Sequence, residues 1–286
     1  MTPRQIVAAA FTAACRDELE APKPGNVHVL APGHRMTTEQ FIRSAAAAAG
    51  PLCAPSARVG ARILAAVEAT HQAVGTNTNL GIVLLCAPLA AAAELEGVEL
   101  HSALVRILDD LDIRDAEHAF AAIVKAAPAG LGRAERHDVF APAQVTLKQA
   151  MAEARDRDRV ARQYATAFAD IFDLGMTLHE AAAPRWSDPK WAVLAVYLGF
   201  LSEFPDSHVI RKHGADVGSE VRRMAMRFNA SLWSTQEPTN LLGELLRWDS
   251  ALKARGINPG TSADLTVATL FGRRLQSVLP PRHNSG

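Results

Sequence analysis

A proline- and glycine-rich segment near the amino terminus carries the first group of side chains that could do chemistry. It runs from Ala21 to His34 with the sequence APKPGNVHVLAPGH and contains Lys23, Gly25 and Asn26. Prolines stiffen a backbone, and a rigid turn that presents one lysine and several amide donors suits a phosphate group. Segments of this composition also serve as ordinary connections between helices. The segment therefore predicts either a phosphate contact or a plain turn.

A second polar segment, Gly75 to Gly81 with the sequence GTNTNLG, leads directly into the most apolar stretch of the chain. Asn77, Thr78 and Asn79 all have side chains that cap helices well. One capping side chain is enough for a helix, so additional amides and hydroxyls at a positively polarised helix start also suit a bound ligand. These side chains could therefore cap the following helix or bind a ligand, and the sequence leaves both roles open.

A third polar segment, INPGTSADL from Ile257 to Leu265, also opens an apolar helix. The pattern predicts a cap at Thr261 or Ser262, which places Asp264 in the first helical turn, where a carboxylate complements the helix dipole. The alternative role of Asp264 is that of a hard oxygen ligand for Mg²⁺, an ion that prefers a few carboxylates together with substrate phosphates.

A basic cluster, DSHVIRKHG from Asp206 to Gly214, follows another long apolar stretch. Arg211 and Lys212 are adjacent, and His208 lies close by in sequence. Two neighbouring cations directly after an apolar helix are more typical of a phosphate clamp than of scattered surface charge.

Composition and charge exclude several classes of protein. The 286 residues carry 30 Lys and Arg against 30 Asp and Glu, so no net charge attracts nucleic acid or an anionic membrane. No apolar run reaches the roughly 20 residues of a membrane span, and the amino terminus lacks an export signal. The P-loop, Rossmann, zincin and hydrolase signatures are missing as well. Three scattered cysteines without a CxxC pair predict buried thiols, and we expect a cytoplasmic protein.

The composition favours helices as the elements that position these segments. Alanine dominates, tyrosine is nearly absent, and apolar residues recur at intervals of three and four. We predict an all-α, compact multi-helix bundle that forms one domain over residues 1–286, with a frayed tail at 280–286. The predicted helices are 4–19, 41–49, 56–69, 81–95, 100–110, 115–126, 143–178, 190–203, 215–231, 241–255 and 262–279.

Two of the predicted helices are apolar on nearly every face, which indicates an innermost position for both. They cover Gly81–Ala93 and Trp191–Phe204. Pro88 lies inside the first, where it lacks an amide donor and should kink or split the helix. In a later charged stretch, Asp156 and Asp158 form a DxD spacing, which suits a metal or, as we expect here, an exposed charged face.

The polar segments together resemble one family, the triphosphoribosyl-dephospho-coenzyme A synthases that serve citrate lyase and malonate decarboxylase. The resemblance spans nearly the whole chain and depends on an ordered set of blocks. These blocks are Glu18, Lys23-Pro24-Gly25-Asn26-Val27, Phe41, Ser44-Ala45, Asn77-Thr78, Gly81, Asn258-Pro259-Gly260 and Ser262-Ala263-Asp264-Leu265. The resemblance implies an all-α fold and a reaction in which the 2′-hydroxyl of dephospho-coenzyme A attacks the ribose of ATP, expelling adenine and retaining the triphosphate.

The resemblance also implies roles for individual residues, with ATP as a substrate and Mg²⁺ as a cofactor. Glycosyl transfer from a nucleotide requires that the enzyme hold the polyphosphate, place the acceptor hydroxyl and assist the departing base. Catalytic roles fall on Glu18, His34 and Asp264, although His34 could equally be a partly exposed loop histidine. Metal ligation falls on Glu18, Asp138 and Asp264. Nucleotide or phosphate contacts fall on Lys23, Gly25, Asn26, Asn77, Thr78, Asn79, Arg211, Lys212, Asn258, Gly260 and Ser262.

Several positions depart from the lyase-linked members of that family. His28 replaces the acidic residue of their KPGLVD block, and Asn79 and Leu80 stand where they carry His and a basic residue. These features, together with PAGLG at 128–132 and His137-Asp138-Val139, resemble the sequences of a second branch of the family. That branch is found in methanogens and in bacteria that use methanopterin-type one-carbon coenzymes. The acceptor and even the donor are open for that branch.

Three hypotheses follow. The leading one is a transferase that uses ATP and Mg²⁺ to move a phosphorylated ribosyl group onto an alcohol of a coenzyme or its precursor. The second is another ATP-dependent step, such as ligation or phosphoryl transfer, in the assembly of a one-carbon coenzyme. The third is a non-catalytic helical protein that binds nucleotides. All three involve small-molecule partners and neither nucleic acid nor membrane, and a homodimer is compatible with each.

Overall fold

The computed structural model describes residues 1–34, 36–128 and 131–278. Within them the chain forms helices and turns without a β-strand, which confirms the all-α prediction. The PAGLG block is only partly included, and the tail predicted to fray lies outside the described residues. The α-helices of the described chain are α1 (Pro3–Glu20), α2 (Thr38–Leu52), α3 (Val59–Val74), α4 (Leu80–Ala92), α5 (Leu100–Asp109), α6 (Ile113–Ala126), α7 (Leu147–Ala154), α8 (Arg159–Ala165), α9 (Met176–Ala182), α10 (Lys190–Glu203), α11 (Ser207–His213), α12 (Ala215–Ser234), α13 (Leu242–Ala254) and α14 (Gly260–Val278).

The chain divides into two compact units, each built from separate stretches of sequence. Unit 1 comprises Met1–Ala14, Ile42–Phe168 and the chain from Phe271, and unit 2 comprises Cys15–Phe41 and Ala169–Leu270. The sequence-based prediction of a single domain stays a prediction. No helix in the described part of the chain has both the length and the apolar character that a bilayer crossing requires.

In unit 1 the apolar helix α4 is buried along almost its whole length, as predicted. Of the two predicted effects of Pro88, the split is wrong, because α4 continues from Leu80 to Ala92, and the kink stays a prediction. Proline at this position leaves the carbonyl of Leu84, four residues earlier, without its usual amide donor. The buried hydroxyl of Tyr164 donates to that carbonyl at 2.6 Å and so replaces the missing bond.

The prediction of one long helix over residues 143–178 is also wrong, because this segment forms several short helices separated by breaks. Asp158 ends the first break by capping α8, where its carboxylate accepts from the amides of Val160 and Ala161. Asp158 is therefore a cap rather than half of a metal-binding pair. A second break follows α8, where Ala167 and Phe168 adopt positive φ angles, and a π-helical turn, Asp170–Gly175, then leads into α9.

In unit 2 the apolar helix α10 is buried from Trp191 to Leu201, which confirms its predicted innermost position. Helices α9 and α12 pack against it, and α11 packs against α12. A single-turn 3₁₀ helix, Pro238–Leu241, precedes α13. The short helix α11 was not predicted from the sequence, although it contains the basic cluster.

The start of α14 differs from the prediction. The helix begins at Gly260, two residues earlier than expected, and its first turn contains no acidic residue. Asp264 therefore lies beyond the first turn, and neither Thr261 nor Ser262 occupies the cap position. The amide of Ser262 instead donates to a carboxylate from another part of unit 2, that of Asp206.

Candidate active site

Unit 2 contains a loop between α1 and α2 that we call the KPG loop (residues 21–34). Its lysine, Lys23, is fully buried, and its ammonium group contacts the Glu18 carboxylate at 3.0 Å. The same group donates to the carbonyls of Glu18 and Val27 at 2.7 and 2.9 Å. Burial raises the pKa of Glu18 and lowers that of Lys23, and the ion pair opposes both shifts. Because three acceptors already surround Lys23, the geometry favours a structural role, and its predicted phosphate contact stays a prediction.

Gly25 lies at the tightest point of the KPG loop. Its φ angle is +81°, and a Cβ atom added there would lie 2.8 Å from Cδ of Pro259. The Gly25 amide donates to Oδ1 of the buried Asp249 at 2.8 Å, and Lys253 donates to the other carboxylate oxygen at 2.9 Å. Hydrogen bonds and the proximity of Lys253 lower the pKa of Asp249 against the effect of burial, so the group is an anion that holds the loop.

Two further side chains hold the backbone on either side of Gly25. The buried hydroxyl of Tyr197 on α10 donates to the carbonyl of Pro24 at 2.7 Å. The amide nitrogen of Asn26 donates to the side-chain oxygen of Asn258 at 2.8 Å, which links the KPG loop to the segment before α14. The two predicted asparagines are thus brought together, and Tyr197 was not predicted.

His28 occupies a polar position inside the unit. Its ring is fully buried, and its Nε2 atom lies 3.4 Å from Oδ2 of Asp249, close enough for an ion pair but without the geometry of a hydrogen bond. Burial lowers the pKa of His28, so we describe it as a neutral imidazole packed beside the Asp249 carboxylate.

His34 ends the described part of the KPG loop with its side chain partly exposed. Its Nε2 atom lies 2.7 Å from the carbonyl oxygen of Gly25. Its φ angle is +55°, in the left-handed region that few residues other than glycine adopt. Burial is the main cause that lowers the pKa of His34, and the nearby Lys212 and Lys253 act in the same direction.

Asp206 joins the basic cluster to the start of α14. Its Oδ1 atom caps α11 by accepting from the amides of His208 and Val209 at 2.9 and 3.1 Å. Its Oδ2 atom accepts from both the amide and the hydroxyl of Ser262 at 2.8 and 2.9 Å. Burial raises the pKa of Asp206, and these hydrogen bonds act in the opposite direction. Thr261 adds a second link, because its hydroxyl accepts from the amide of His208 at 3.2 Å.

The imidazole of His208 lies against the backbone of Gly260. A Cβ atom at Gly260 would lie 2.6 Å from Nδ1 of His208, so glycine is needed for this approach. The pKa of His208 is lowered to about 4, first by burial and then by the surrounding Arg211, Lys212, His34 and His213. His208 thus joins α11 to the start of α14, and the KPG loop approaches the same segment at Pro259 and acts on His208 through His34.

The two cations of the basic cluster remain near the surface. Arg211 and Lys212 are exposed, and Lys212 donates to the carbonyl of Gly256 at 3.2 Å. The same carbonyl lies 3.0 Å from Nε2 of His213. The end of α11 is therefore attached through Lys212 and His213 to the turn that precedes α14.

The predicted residues of the GTNTNLG segment belong to unit 1, where each is engaged within the protein. Asn77 accepts from the amide of Leu80 at 3.1 Å. The hydroxyl of Thr78 donates to Ser44 at 2.6 Å, and the amide nitrogen of buried Asn79 donates to the hydroxyl of Thr70 at 3.1 Å. These contacts account structurally for all three residues, and their nucleotide contacts stay a prediction.

The three predicted metal ligands differ in their surroundings. Glu18 is paired with Lys23, and Asp138, in unit 1, accepts from the amides of Ala134 and Phe140 at 2.8 Å each. Asp264 is half-buried on α14. Burial raises the pKa of the Cys15 thiol, and the charges of Glu18 and Asp264 act in the same direction. Within the described residues, no three His, Cys, Asp or Glu side chains are grouped as a metal ion requires.

Several residues that build this site were missed or left unassigned in the sequence. Asp206 carried a usable signal, since an aspartate directly before SHV is typical of a helix cap. The sequence gives no such signal for Asp249, because Asp249 and Lys253, four residues apart, look like an ordinary surface ion pair on an amphipathic helix. Its burial and its bond to Gly25 are set by tertiary packing.

The fold and this arrangement define an all-α protein that gathers cations, neutral imidazoles and paired amides around a glycine-centred loop. The chain belongs to the CitG family, ATP:dephospho-CoA triphosphoribosyl transferase, which it matches over residues 4–282. The protein is therefore a transferase of the triphosphoribosyl-dephospho-CoA synthase family, which confirms the resemblance found in the polar segments.

Among solved structures, the chain is similar to a crystal structure from Archaeoglobus fulgidus that is provisionally assigned as a triphosphoribosyl-dephospho-coA synthase. The two share 25% sequence identity with a TM-score of 0.64, over 83% of this chain and 99% of the archaeal one. A comparison with curated proteins returned no match.

Proposed function

We propose that the protein transfers the triphosphoribosyl group of ATP to a hydroxyl of dephospho-coenzyme A, or of a related coenzyme alcohol, with release of adenine. Membership of the family supports the ATP-dependent transfer. The observation that carries the proposal is the packing of His208 against Gly260, with Arg211, Lys212 and His34 close enough to lower the pKa of His208. ATP and coenzyme precursors are cytoplasmic metabolites, so this reaction belongs in the cytoplasm.

Arg211 and Lys212 are the residues that we assign to the triphosphate. Both are exposed cations attached to a fixed helix end, and charge-assisted bonds to phosphate oxygens are among the stronger polar contacts in proteins. The amides at the start of α14 contribute less, because Gly260 donates to the carbonyl of Asn258 and Ser262 donates to Asp206.

The Asn26–Asn258 pair suits the nucleoside. One hydrogen bond between the two side chains uses the nitrogen of Asn26 and the oxygen of Asn258. The oxygen of Asn26 and the nitrogen of Asn258 have no partner among the described residues. They supply one acceptor and one donor, a combination that suits ribose hydroxyls or the edge of adenine.

Mg²⁺ fits these residues only as an ion that arrives with the substrate phosphates. Glu18 is paired with Lys23, Asp138 accepts from backbone amides in unit 1, and Asp264 is half-buried on α14 in unit 2. Mg²⁺ commonly binds through one or two carboxylates together with phosphate oxygens, so we assign it to Asp264, which lies in the same unit as Arg211 and Lys212. When bound, the ion would neutralise charge on the triphosphate.

The chain's own residues then have two tasks in the reaction. The cations fix the triphosphate, which holds the ribose carbon C1′ in place for attack by the acceptor hydroxyl. The paired amides orient the ribose and the departing base. The glycosidic bond breaks as the new bond to the acceptor oxygen forms, and positioned dipoles stabilise the charge that develops.

The proposed reaction is tested by identifying the product that is released from ATP. Purified protein is incubated with ATP, Mg²⁺ and dephospho-coenzyme A, and the nucleotide products are separated by chromatography. We expect free adenine in equal amount to the triphosphoribosylated acceptor. Formation of ADP or AMP would support the alternative of phosphoryl transfer or ligation, and calorimetric ATP binding without any product would support a non-catalytic binding protein.

Charge-removing variants test the phosphate assignment separately. Arg211→Ala and Lys212→Ala should each weaken ATP binding about tenfold to a hundredfold, since a hydrogen bond to a charged group contributes about 1.5–3 kcal/mol. The matched control is Arg227→Ala, which removes an exposed cation from α12 of the same unit. Equal affinity of all three variants and the wild type in calorimetry would disprove the assignment.

A further inference from the structure

We propose that His34 accepts the proton of the attacking hydroxyl at its Nδ1 atom, and that Asp249 is the positioning residue that fixes His34 through Gly25. This inference rests on the proposed function, in which the group that activates the hydroxyl is still unassigned. Glu18, which the sequence also suggested for this step, is buried and paired with Lys23.

The hydrogen bond between His34 and Gly25 fixes the tautomer of the imidazole. A carbonyl oxygen can only accept, so the Nε2 atom of His34, 2.7 Å from the Gly25 oxygen, must carry a hydrogen. In the neutral ring the lone pair then lies on Nδ1, which makes no hydrogen bond within the described residues. The side chain is partly exposed, and we infer that Nδ1 is the atom that meets the substrate hydroxyl.

Asp249 determines where the carbonyl of Gly25 lies. Its carboxylate accepts the Gly25 amide at 2.8 Å and is itself held by Lys253 at 2.9 Å. The positive φ angle of Gly25 and its close approach to Pro259 leave little freedom for the residue to rotate. The position of Asp249 is thus transmitted through Gly25 to the imidazole, as an orienting group does for a catalytic base.

The backbone of His34 supports a role beyond a plain loop connection. A histidine at φ +55° is strained relative to ordinary conformations, and such strain persists where the surrounding structure determines it. Here the bond to Gly25 and the packing of the loop hold the side chain in one place. The backbone strain by itself does not identify His34 as a base. Together with the fixed tautomer, it indicates that the imidazole is held ready to accept a proton.

Burial, together with nearby cations, keeps the His34 ring neutral near pH 7. Lys212 and His208 face it from α11, and Asp249 and Lys253 face it from α13. Burial and the two lysines lower the pKa of His34, whereas Asp249 and the Gly25 carbonyl raise it. The balance leaves an unprotonated Nδ1 that can take up a proton during the reaction.

Every proton in the attack of the acceptor hydroxyl on the ribose is accounted for by His34 and water. The hydroxyl proton moves to Nδ1 of His34 while the hydroxyl oxygen bonds to C1′ of the ribose. The bond from C1′ to adenine breaks, and its electron pair leaves with the base, which takes a proton from water. The imidazolium of His34 keeps its Nε2 bond to Gly25 and then returns its extra proton to water.

The tautomer is tested directly, without turnover, by long-range ¹H–¹⁵N NMR of the histidine rings. His34→Gln assigns the His34 signal by removing it. We expect the wild-type ring to be neutral at pH 7.5 with its hydrogen on Nε2. A ring with its hydrogen on Nδ1, or a fully charged ring, would overturn the proposal whether or not the protein releases adenine from ATP.

Two substitutions separate the base from the loop contact. In His34→Gln the side-chain amide can still donate to the Gly25 carbonyl but has no basic atom in the place of Nδ1. We expect kcat for adenine release to fall by about 10²- to 10⁴-fold, the range typical of a lost general base, with KM for ATP changed less than about threefold. His34→Asn, which tolerates a positive φ angle well, should lose as much. Retained kcat in either variant would overturn the proposal.

The role of Asp249 is tested by the pH profile of kcat/KM. In Asp249→Asn the side-chain oxygen can still accept from Gly25, but the negative charge that stabilises imidazolium is lost. We expect the acidic limb of the profile to move to lower pH. The matched control Glu244→Gln, an exposed position on the same helix α13, should leave the profile unchanged. An unmoved limb in Asp249→Asn would show that the charge of Asp249 does not act on His34. Asp249→Leu cannot accept from Gly25 and should also lower kcat, so retained kcat in that variant would overturn the positioning role. Absence of adenine release by the wild type would instead count against the proposed function.

Discussion

Ser262 donates both its backbone amide and its hydroxyl to the same carboxylate oxygen of Asp206, at 2.8 and 2.9 Å. The second oxygen of Asp206 caps α11 through the amides of His208 and Val209. A single buried carboxylate therefore satisfies the first turns of two helices, α11 and α14, and fixes His208 beside Gly260. Amide donors at helix starts have no partner within the helix, so this arrangement removes a cost that both helix ends would otherwise carry.

Asp206→Asn should destabilise the protein by about 1–3 kcal/mol, because an amide nitrogen in place of Oδ2 cannot accept from Ser262 and leaves buried donors without a partner. Ser262→Ala keeps the backbone donor and should cost less, about 0.5–1.5 kcal/mol. Urea unfolding followed by circular dichroism measures both. The exposed Asp156→Asn serves as a control, and a loss no larger than that of the control would contradict the double cap.

Gly25→Ala should combine a backbone cost with a steric one. Alanine disfavours the positive φ angle, and its Cβ would lie 2.8 Å from Pro259 and 3.0 Å from Leu252. Gly97→Ala is a matched control, because Gly97 has a similar φ of +71° with nothing within 4 Å of an added Cβ. We expect the midpoint of thermal unfolding to fall further for Gly25→Ala than for Gly97→Ala. Equal midpoints would show that the KPG loop adjusts to the added methyl group.

Tyr164→Phe should destabilise the protein by about 1–3 kcal/mol, because it leaves the buried carbonyl of Leu84 without a donor. Pro88→Ala supplies the missing amide to the same carbonyl. The cost of Tyr164→Phe should therefore be smaller in the Pro88→Ala background. A double-mutant cycle from urea unfolding measures this coupling, and strictly additive effects would show that the hydroxyl does not replace the missing bond.

The pH dependence of stability should carry the signature of His208. The pKa of this group falls from 6.5 to about 4 in the folded protein, so the folded state binds fewer protons than the unfolded chain. Its contribution to stability is present above pH 6.5 and is lost as the pH falls from about 6.5 to 4. His208→Gln cannot titrate, so the advantage of the wild type over this variant should shrink across that window. A difference in unfolding free energy that is constant with pH would contradict the lowered pKa.

The sequence predicts the helical class and many helix bounds well, because these depend on local periodicity. The predicted helix 190–203 coincides with α10, and both innermost helices were identified from their uniformly apolar faces. The periodicity failed over residues 143–178, where apolar spacing continues across two breaks and only the cap at Asp158 marks the first. Helix α11 was missed because its seven residues are too few to show a period.

The sequence predicted which residues form the candidate site better than it predicted which other residues they contact. Asn26 and Asn258 were both selected, and the structure joins them by one hydrogen bond across 232 positions of sequence. Lys23 was selected as a cation for phosphate, but its burial beside Glu18 depends on packing that no local pattern reveals. Asp249 is the clearest omission, since only the folded chain brings it to Gly25.

The attachment of the KPG loop also bears on how this enzyme can diversify. Tyr197, Asp249 and Asn258 each hold one consecutive residue of the loop from a different stretch of chain. Asn26 and Asn258 bond through their side chains, so we expect these two positions to covary across homologues. Tyr197 and Asp249 bond backbone groups, so each is constrained by itself. Val29 and Leu30, which are 52% and 51% exposed, lie in the same loop outside these contacts and should tolerate substitution more readily.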